Sequence, residues 1–456
     1  RDHLAVGQLY IDPRVLGTRL RLVEWFDMVL AGDVPCGGAW GAEQDVWCPE
    51  RGTGAVEGAY AQLRLTRPLF SLDTRWGFDS WVVADIRQVR RYRFNSGGTV
   101  PRGEHAGLSL RTDQLPGHYQ SPAVPRVYDR RNLAGSASYT RSFGSAKTTK
   151  NNLTTGATVY SYRSAHPDGL PFSDDVLRWH AATFLPRGED AALLFVAGRS
   201  YSPRYIRLHN IQGFALSEDF ALGHEAGVEL QVGMNMGDIA HSYAAGIAKL
   251  AYRWHLRGDL LTIWLYASGR MQPNLREIYS GVDAQEYDGP WTNTSLELGA
   301  RNVSPVFWYG RLHTRIQAVF QRPFDPDAVA GSPRTLYPAR VYLGGDSGLR
   351  GYPSDQFEGE NLMQLNVEYR SKPINLFTLH LGFVVFYDGG GVFGGPDPRQ
   401  RDEDLAFRYH HSVGVGIRGH FPQFDKESLR ADFAIPLTDA AGSPSTWFSL
   451  SFMQVF

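Results

Sequence analysis

The stretch GGDSGLRGY, residues 344–352, supports two readings that lead to different folds. Its first half, Gly345-Asp346-Ser347-Gly348, looks like the loop around a serine-hydrolase nucleophile. Its second half, Leu349-Arg350-Gly351-Tyr352, has no nucleophile and sets an arginine between a glycine-rich turn and an aromatic ring. The hydrolase reading fails on its surroundings. A chymotrypsin-like site needs an upstream histidine motif and a further glycine after Gly-Asp-Ser-Gly, and Leu349 stands in that place. A Gly-x-Ser-x-Gly elbow needs a helix after its strand, and no helical pattern flanks Ser347. No catalytic residue is expected, and the protein is not read as an enzyme.

Outward from this stretch, apolar and polar residues alternate with period two along most of the chain, and helical periodicity is nearly absent. VEGAYAQLRLTRP (56–68), EAGVELQVGMN (225–235), DLLTIWLYASGRM (259–271) and TLHLGFVVFYDGG (378–390) are clear cases. Many such runs are about ten residues long, the length that crosses a bilayer at a tilt, whereas sandwich strands are nearer five or six. Short connections such as Arg257-Gly258 and the stretch around 372–375 alternate with long polar ones at 31–54, 94–130, 272–290, 321–360 and 394–408. Tight turns at one end and long loops at the other are expected of an outer-membrane barrel.

Composition agrees without deciding. The 456 residues carry 46 Lys+Arg against 47 Asp+Glu, so no net field recruits nucleic acid. Mean hydropathy is negative, and no run approaches the ~18 apolar residues of a spanning helix. Arg1 opens the chain with no signal-like stretch behind it, which reads as a processed chain or a fragment. Cys36 and Cys48 sit in a Gly- and Trp-rich loop and read as a disulfide formed in an oxidising compartment; unlinked thiols are the alternative. No further ligands cluster there for zinc, and neither metal nor cofactor is expected.

Alternation also assigns faces. In the last strand Phe448, Leu450, Phe452 and Phe456 share one side, with Ser449 and Ser451 opposite. In the preceding one Leu429, Ala431, Phe433 and Ile435 oppose Arg430 and Asp432. Basic residues facing lipid at the midplane would cost about 2–4 kcal/mol each, so in a membrane the charged face belongs to a wet or self-paired interior. A soluble β-sandwich with a polar outer face and a packed core explains the alternation equally well, but the strand length and the terminal Phe456 less well. Glu368 lies on that interior face with Gln364 and Asn366, and Asp388 lies opposite Phe383, Val385 and Tyr387.

The second half of the opening stretch resembles the Val/Ile-Arg-Gly-Phe/Tyr loop motif of the BamA/TamA outer-membrane insertase superfamily. Further motifs follow in that family's order: Gly344-Gly345 before the loop, a strand with an inward glutamate (Asn366-Val367-Glu368-Tyr369), and an aromatic-Asp-Gly pattern (Phe386-Tyr387-Asp388-Gly389-Gly390-Gly391). A glycine-rich strand (413–418), the segment 429–437 and a terminal Phe456 complete it. The N-terminal half matches more loosely, at Asp12-Pro13-Arg14 and Arg67-Pro68-Leu69-Phe70, which resemble periplasmic turns.

The resemblance implies an all-β fold, an antiparallel transmembrane β-barrel of about sixteen strands, with eighteen to twenty as variants. Residues 1–456 are read as one barrel domain with no periplasmic POTRA module in the chain. It further implies that Leu349, Arg350, Gly351 and Tyr352 fold into the lumen, where Arg350 meets Asp388, Glu368 or both and Gly389 and Gly390 leave room on the wall. The implied function is insertion or export of other proteins at a Gram-negative outer membrane, through a seam between the first strand and residues 447–456. The implied partners are membrane lipids, lipopolysaccharide, unfolded client proteins and accessory periplasmic subunits. The rival readings are a passive channel or two-partner-type secretion pore, and the membrane anchor of a larger enzyme. Three side groups stay open: Arg87, Arg90, Arg91 and Arg93 as a lipopolysaccharide site or a solvated or lumenal basic edge, His410-His411 as a metal pair or, since adjacent strand residues face opposite ways, a loop or rim pair, and Trp25, Trp76, Trp81, Tyr160 and Trp254 as interfacial girdles or ordinary packing.

Overall fold

The computed structural model describes residues 3–31, 54–90, 92–94, 108–110, 112–114, 123–186, 188–236, 241–271, 291–321, 341–345, 348–394, 407–421, 429–438 and 445–452. Cys36 and Cys48, and with them the disulfide reading, lie outside these residues, as do Asp346, Ser347 and Phe456.

Alternation in sequence becomes alternation in exposure once the strands pair. In Ser217–Asn235, Val228, Leu230, Val232 and Met234 are each more than half exposed on one face. Leu194 and Val196, on the neighbouring strand Glu189–Tyr201, sit opposite Val232 and Leu230 and carry the apolar band across. Near the C-terminus one row runs Val385, Val415, Phe433 and Phe448, all on the same outer face. Leu450 lies beside them, 64% exposed. So continuous an apolar exterior is the surface a hydrocarbon solvent selects. The opposite face, termed inner only to distinguish it from the apolar one, carries the charged residues, and loops cover part of it.

The strands form a meander. His3–Asp12 pairs with Arg21–Ala31, and within the large sheet each later strand adds antiparallel to the one before, ending with Leu429–Pro436 against Trp447–Phe452, while Tyr92–Phe94 with Leu108–Leu110, Thr112–Gln114 with Ala123–Pro125 and Val341–Leu343 with Phe357–Gly359 form separate two-stranded pairs. The sheet has 19 strands. Two of these prolong a neighbour instead of adding a pass: Arg204–His209 continues Glu189–Tyr201 along Ser217–Asn235, and Ile374–Leu376 continues Asn361–Ser371 along Leu379–Phe393. Seventeen passes remain among the described residues.

This corrects the expected architecture. The described strands form one large open antiparallel sheet, not a closed transmembrane β-barrel of about sixteen strands. His3–Asp12 is hydrogen-bonded only to Arg21–Ala31, and Trp447–Phe452 only to Leu429–Pro436, among the described residues. With an odd number of passes the two edge strands run in the same direction, so neither can extend the other's antiparallel ladder. Sequence alternation reports which face is apolar and says nothing of whether two distant edges meet.

Two smaller differences concern connections. The turn expected around 372–375 lies at Phe377-Thr378, because Ile374–Leu376 already pairs with Leu379–Phe393. Arg257-Gly258 is a two-residue hairpin turn with both residues at positive φ, 52° and 92°. The loop after Lys150–Ala165 holds an α-helix, Asp174–Phe184, with Asp174 and Asp175 in its first turn, where carboxylates oppose the helix dipole.

Candidate functional site: a buried arginine cluster on the inner face

Three adjacent strands, Asn361–Ser371, Leu379–Phe393 and His410–His420, build the wall under loop residues 348–352, and Leu429–Pro436 extends it. Register places Asn366 opposite Asp388 and Asp388 opposite Ser412, so these side chains share one rung of the inner face. Glu368, one inner position along the strand from Asn366, is fully buried.

Arg350 lies over this rung, 1% exposed. Its guanidinium straddles two carboxylates: Nε donates to Asp388 Oδ2 at 2.7 Å, one terminal nitrogen donates to Asp388 Oδ1 at 2.9 Å, and the other donates to Glu368 Oε2. Asp432 stands 3.6 Å away, and the guanidinium carbon lies 3.4 Å from the centre of the Phe386 ring. A planar fork with five donors serves such a site; a single ammonium could not span both acids.

The cluster is larger than one pair. Arg370 Nε donates to Glu368 Oε1 at 2.5 Å, and Arg418 donates to Asp432 Oδ1 at 2.5 Å. Arg430 Nε lies 3.4 Å from Asp432 Oδ2. Arg350, Arg370, Arg418 and Arg430 thus interleave with Glu368, Asp388 and Asp432, and all seven are buried. Burying charges is costly, and mutual pairing repays it only when the geometry is well satisfied.

The rest of the loop packs by close approach. The Gly351 amide donates to Ser412 Oγ at 3.2 Å, and a Cβ at Gly351 would come within 2.3 Å of Ser412 Cβ. Tyr352 is buried and its hydroxyl donates to the carbonyls of Thr438 and His411, at 2.8 and 3.1 Å. Leu349 and Tyr352 join Val319, Leu343 and Leu362 in one apolar cluster. Of the wall glycines, Gly390 faces the loop, where a Cβ would lie 3.2 Å from Leu343 Cδ2, while Gly389 faces Tyr409 on the other side. Asn366 Nδ2 bridges the Gly348 carbonyl and Asp388, at 2.6 and 2.8 Å. The segment is also tied across the sheet by Arg126, which donates to both Glu358 oxygens at 2.8 Å.

Sequence reasoning had singled out Arg350, Glu368 and Asp388; it had not joined Arg370, Arg418 and Asp432 to them. Arg430 and Asp432 were assigned to the interior by alternation, but their neighbours depend on register. His410 and His411 point to opposite faces: His410 stacks on Phe357 at 4.1 Å, and His411 lies beside Tyr387. Arg90 is committed to Glu57 in a buried pair, and Arg87 lies 2.9 Å from Asp85. Trp76 stacks on Tyr139 with Arg67 over its ring, and Trp25 meets Tyr60 edge-on. In the last strand Phe448 and Leu450 are exposed on the outer face.

Residues 332–456, the segment that carries the Arg350 cluster, match the model of a family described as the Omp85 superfamily domain. No curated protein sequence matches the chain. Among solved structures, 99% of the chain aligns with BamA from Haemophilus ducreyi lacking POTRA domains 1-3, at 11% identity, 70% of that chain and a TM-score of 0.44. It aligns over 99% with CdiB from Acinetobacter baumannii (11% identity, 56% of that chain, TM-score 0.40) and over 98% with CdiB from Escherichia coli (12%, 66%, 0.39). The chain thus spans about two thirds or less of each CdiB structure.

Proposed function

We propose that this chain is an Omp85-type protein of a Gram-negative outer membrane that passes polypeptide across that membrane, in the manner of a two-partner secretion pore. The observation that carries this reading is the docking of loop residues 348–352 by Arg350, within the segment that matches the Omp85 superfamily domain. The apolar outer face is suited to lipid, and the charged inner face to a hydrated path along which an unfolded chain slides without sticking. The loop is part of the wall of that path, held in one position by its arginine. Outer-membrane lipids contact the outer face, and the transported chain is the partner on the inner one.

A second reading, insertion of client β-barrels, draws on the two free edges. His3–Asp12 and Trp447–Phe452 each leave one row of amides and carbonyls unpaired among the described residues, and such an edge can template an incoming strand.

Reconstitution in liposomes separates the two. The secretion reading expects entry of an unfolded polypeptide without faster folding of a client β-barrel, and accelerated client folding without polypeptide entry contradicts it. Arg350→Ala is expected to abolish transport while expression remains measurable; transport at the wild-type level by that variant would remove the loop from the mechanism.

A further inference from the structure

A second group of arginines lies on the same inner face toward the short-turn end, and it lacks what the first one has. Arg253 pairs across the sheet with Thr262, Thr262 with Arg301, Arg301 with Arg315, and Arg315 with Asn366. Directly opposed residues in an antiparallel sheet point to one face, so three guanidiniums from three strands converge there. They line a cavity of about 270 Å³ whose other walls include Phe220, Leu260 and Trp264. The turn after Arg204–His209 folds over it: Ile211 is 2% exposed and its carbonyl accepts from Arg370 at 3.2 Å.

Among the described residues none of these three arginines forms an ion pair. The nearby acids are engaged elsewhere. Glu218 accepts from the amides of Ile211, Gln212 and Gly213, at 3.2, 2.8 and 2.9 Å, and Glu297 accepts from Trp264 Nε1 at 2.7 Å and Gln317 Nε2 at 2.9 Å. Arg253 donates only to neutral groups, Thr262 Oγ1 at 2.9 Å and the Ala221 carbonyl at 3.1 Å. Arg301 is the most exposed to the deficit: its Nε and one terminal nitrogen are buried without a hydrogen-bond partner. Guanidiniums keep their charge at any accessible pH, so this repulsion cannot be relieved by losing protons.

We infer that the cavity is an anion site for a phosphate group, free or as a monoester, held by Arg253, Arg301 and Arg315. Three forks offer more donors than one carboxylate's two oxygens can accept, whereas a tetrahedral dianion presents an oxygen to each. Phosphate alone would leave the Phe220, Leu260 and Trp264 wall uncovered, and the alkyl portion of a monoester would cover it.

The test is calorimetric titration of the purified full chain in detergent with inorganic phosphate and, separately, with hexyl phosphate, at fixed ionic strength. Saturable one-to-one binding is expected, weakened at least tenfold by Arg301→Gln and unchanged by Arg64→Gln, which alters an exposed arginine paired with Asp79. Tighter binding of hexyl phosphate than of phosphate assigns the ester as the source; equal binding assigns the free ion. Absence of saturable binding to the wild type, or equal affinity in wild type and Arg301→Gln, overturns the inference. Should Arg301→Gln fail to fold, Arg253→Gln is held to the same tenfold criterion.

Discussion

The two arginine clusters sit on one inner face, are joined by the rung Arg253–Thr262–Arg301–Arg315–Asn366–Asp388, and solve the same problem differently. Around Arg350 the loop's cation arrives where carboxylates already wait, and the cluster is closed by the chain itself. Around Arg301 three strands deliver cations and the local acids are turned toward amides and an indole. Under low dielectric a charge demands a counter-charge. Where the chain provides one, the result is a fixed loop; where it does not, the result is a place for a ligand.

The comparison breaks most visibly at Arg350. Arg350→Ala strands Glu368 and Asp388 without their shared cation, and removing one partner of a buried pair costs about 3–5 kcal/mol. Denaturant unfolding in detergent checks this, and a loss inside experimental error would mean that the acids are not dependent on Arg350. Gly351→Ala asks whether the loop's approach is as close as the contacts imply. Its new Cβ meets Ser412 at 2.3 Å, so overpacking of about 1–3 kcal/mol is expected, read as faster proteolysis of the 341–359 segment.

The Arg301 side predicts an opposite sign. Without phosphate, Arg301→Gln removes an uncompensated cation and is expected to raise stability by about 1 kcal/mol. With saturating phosphate the wild type is the more stable protein, since ligand binding to the folded state adds stability. A melting series with and without phosphate shows the crossing, and parallel shifts would contradict it.

The smallest effect tests the same rule on groups that can discharge. His166 Nε2 lies 2.9 Å from Nδ1 of the buried His180, in the loop that carries the helix. Burial first, and then its neighbour His180, lower the His166 pKa to about 4. The folded value is below the unfolded one of about 6.5, so the neutral ring's contribution is fully present above pH 6.5 and is lost as pH falls toward 4. Because His166 is only half-buried, about 1 kcal/mol or less is expected, seen as smaller hydrogen-exchange protection factors, corrected for the intrinsic rate at each pH, in residues 166–184 at pH 4.5 than at pH 7.5.

What could be read in the sequence follows from what period two encodes. It gives the face of each residue, which is why Glu368, Asp388, Arg430 and Asp432 could all be assigned to the charged side before any pairing was known. It does not encode register, so the meeting of Arg253, Arg301 and Arg315 from separate strands was invisible. Pass count was hidden for a related reason: Ser202-Pro203 interrupts one long strand and reads like a boundary. The helix Asp174–Phe184 is a short segment inside a polar loop, too brief for its periodicity to stand out. Edge closure depends on two segments at opposite ends of the chain, and no local pattern carries it.

A double-mutant cycle between Arg350→Ala and Asp388→Ala measures the central contact itself. A coupling of about 2 kcal/mol or more is predicted, since close, desolvated charge pairs reach such values. Additivity within about 0.5 kcal/mol would show that the two side chains do not act together, and the docked loop would no longer explain the site.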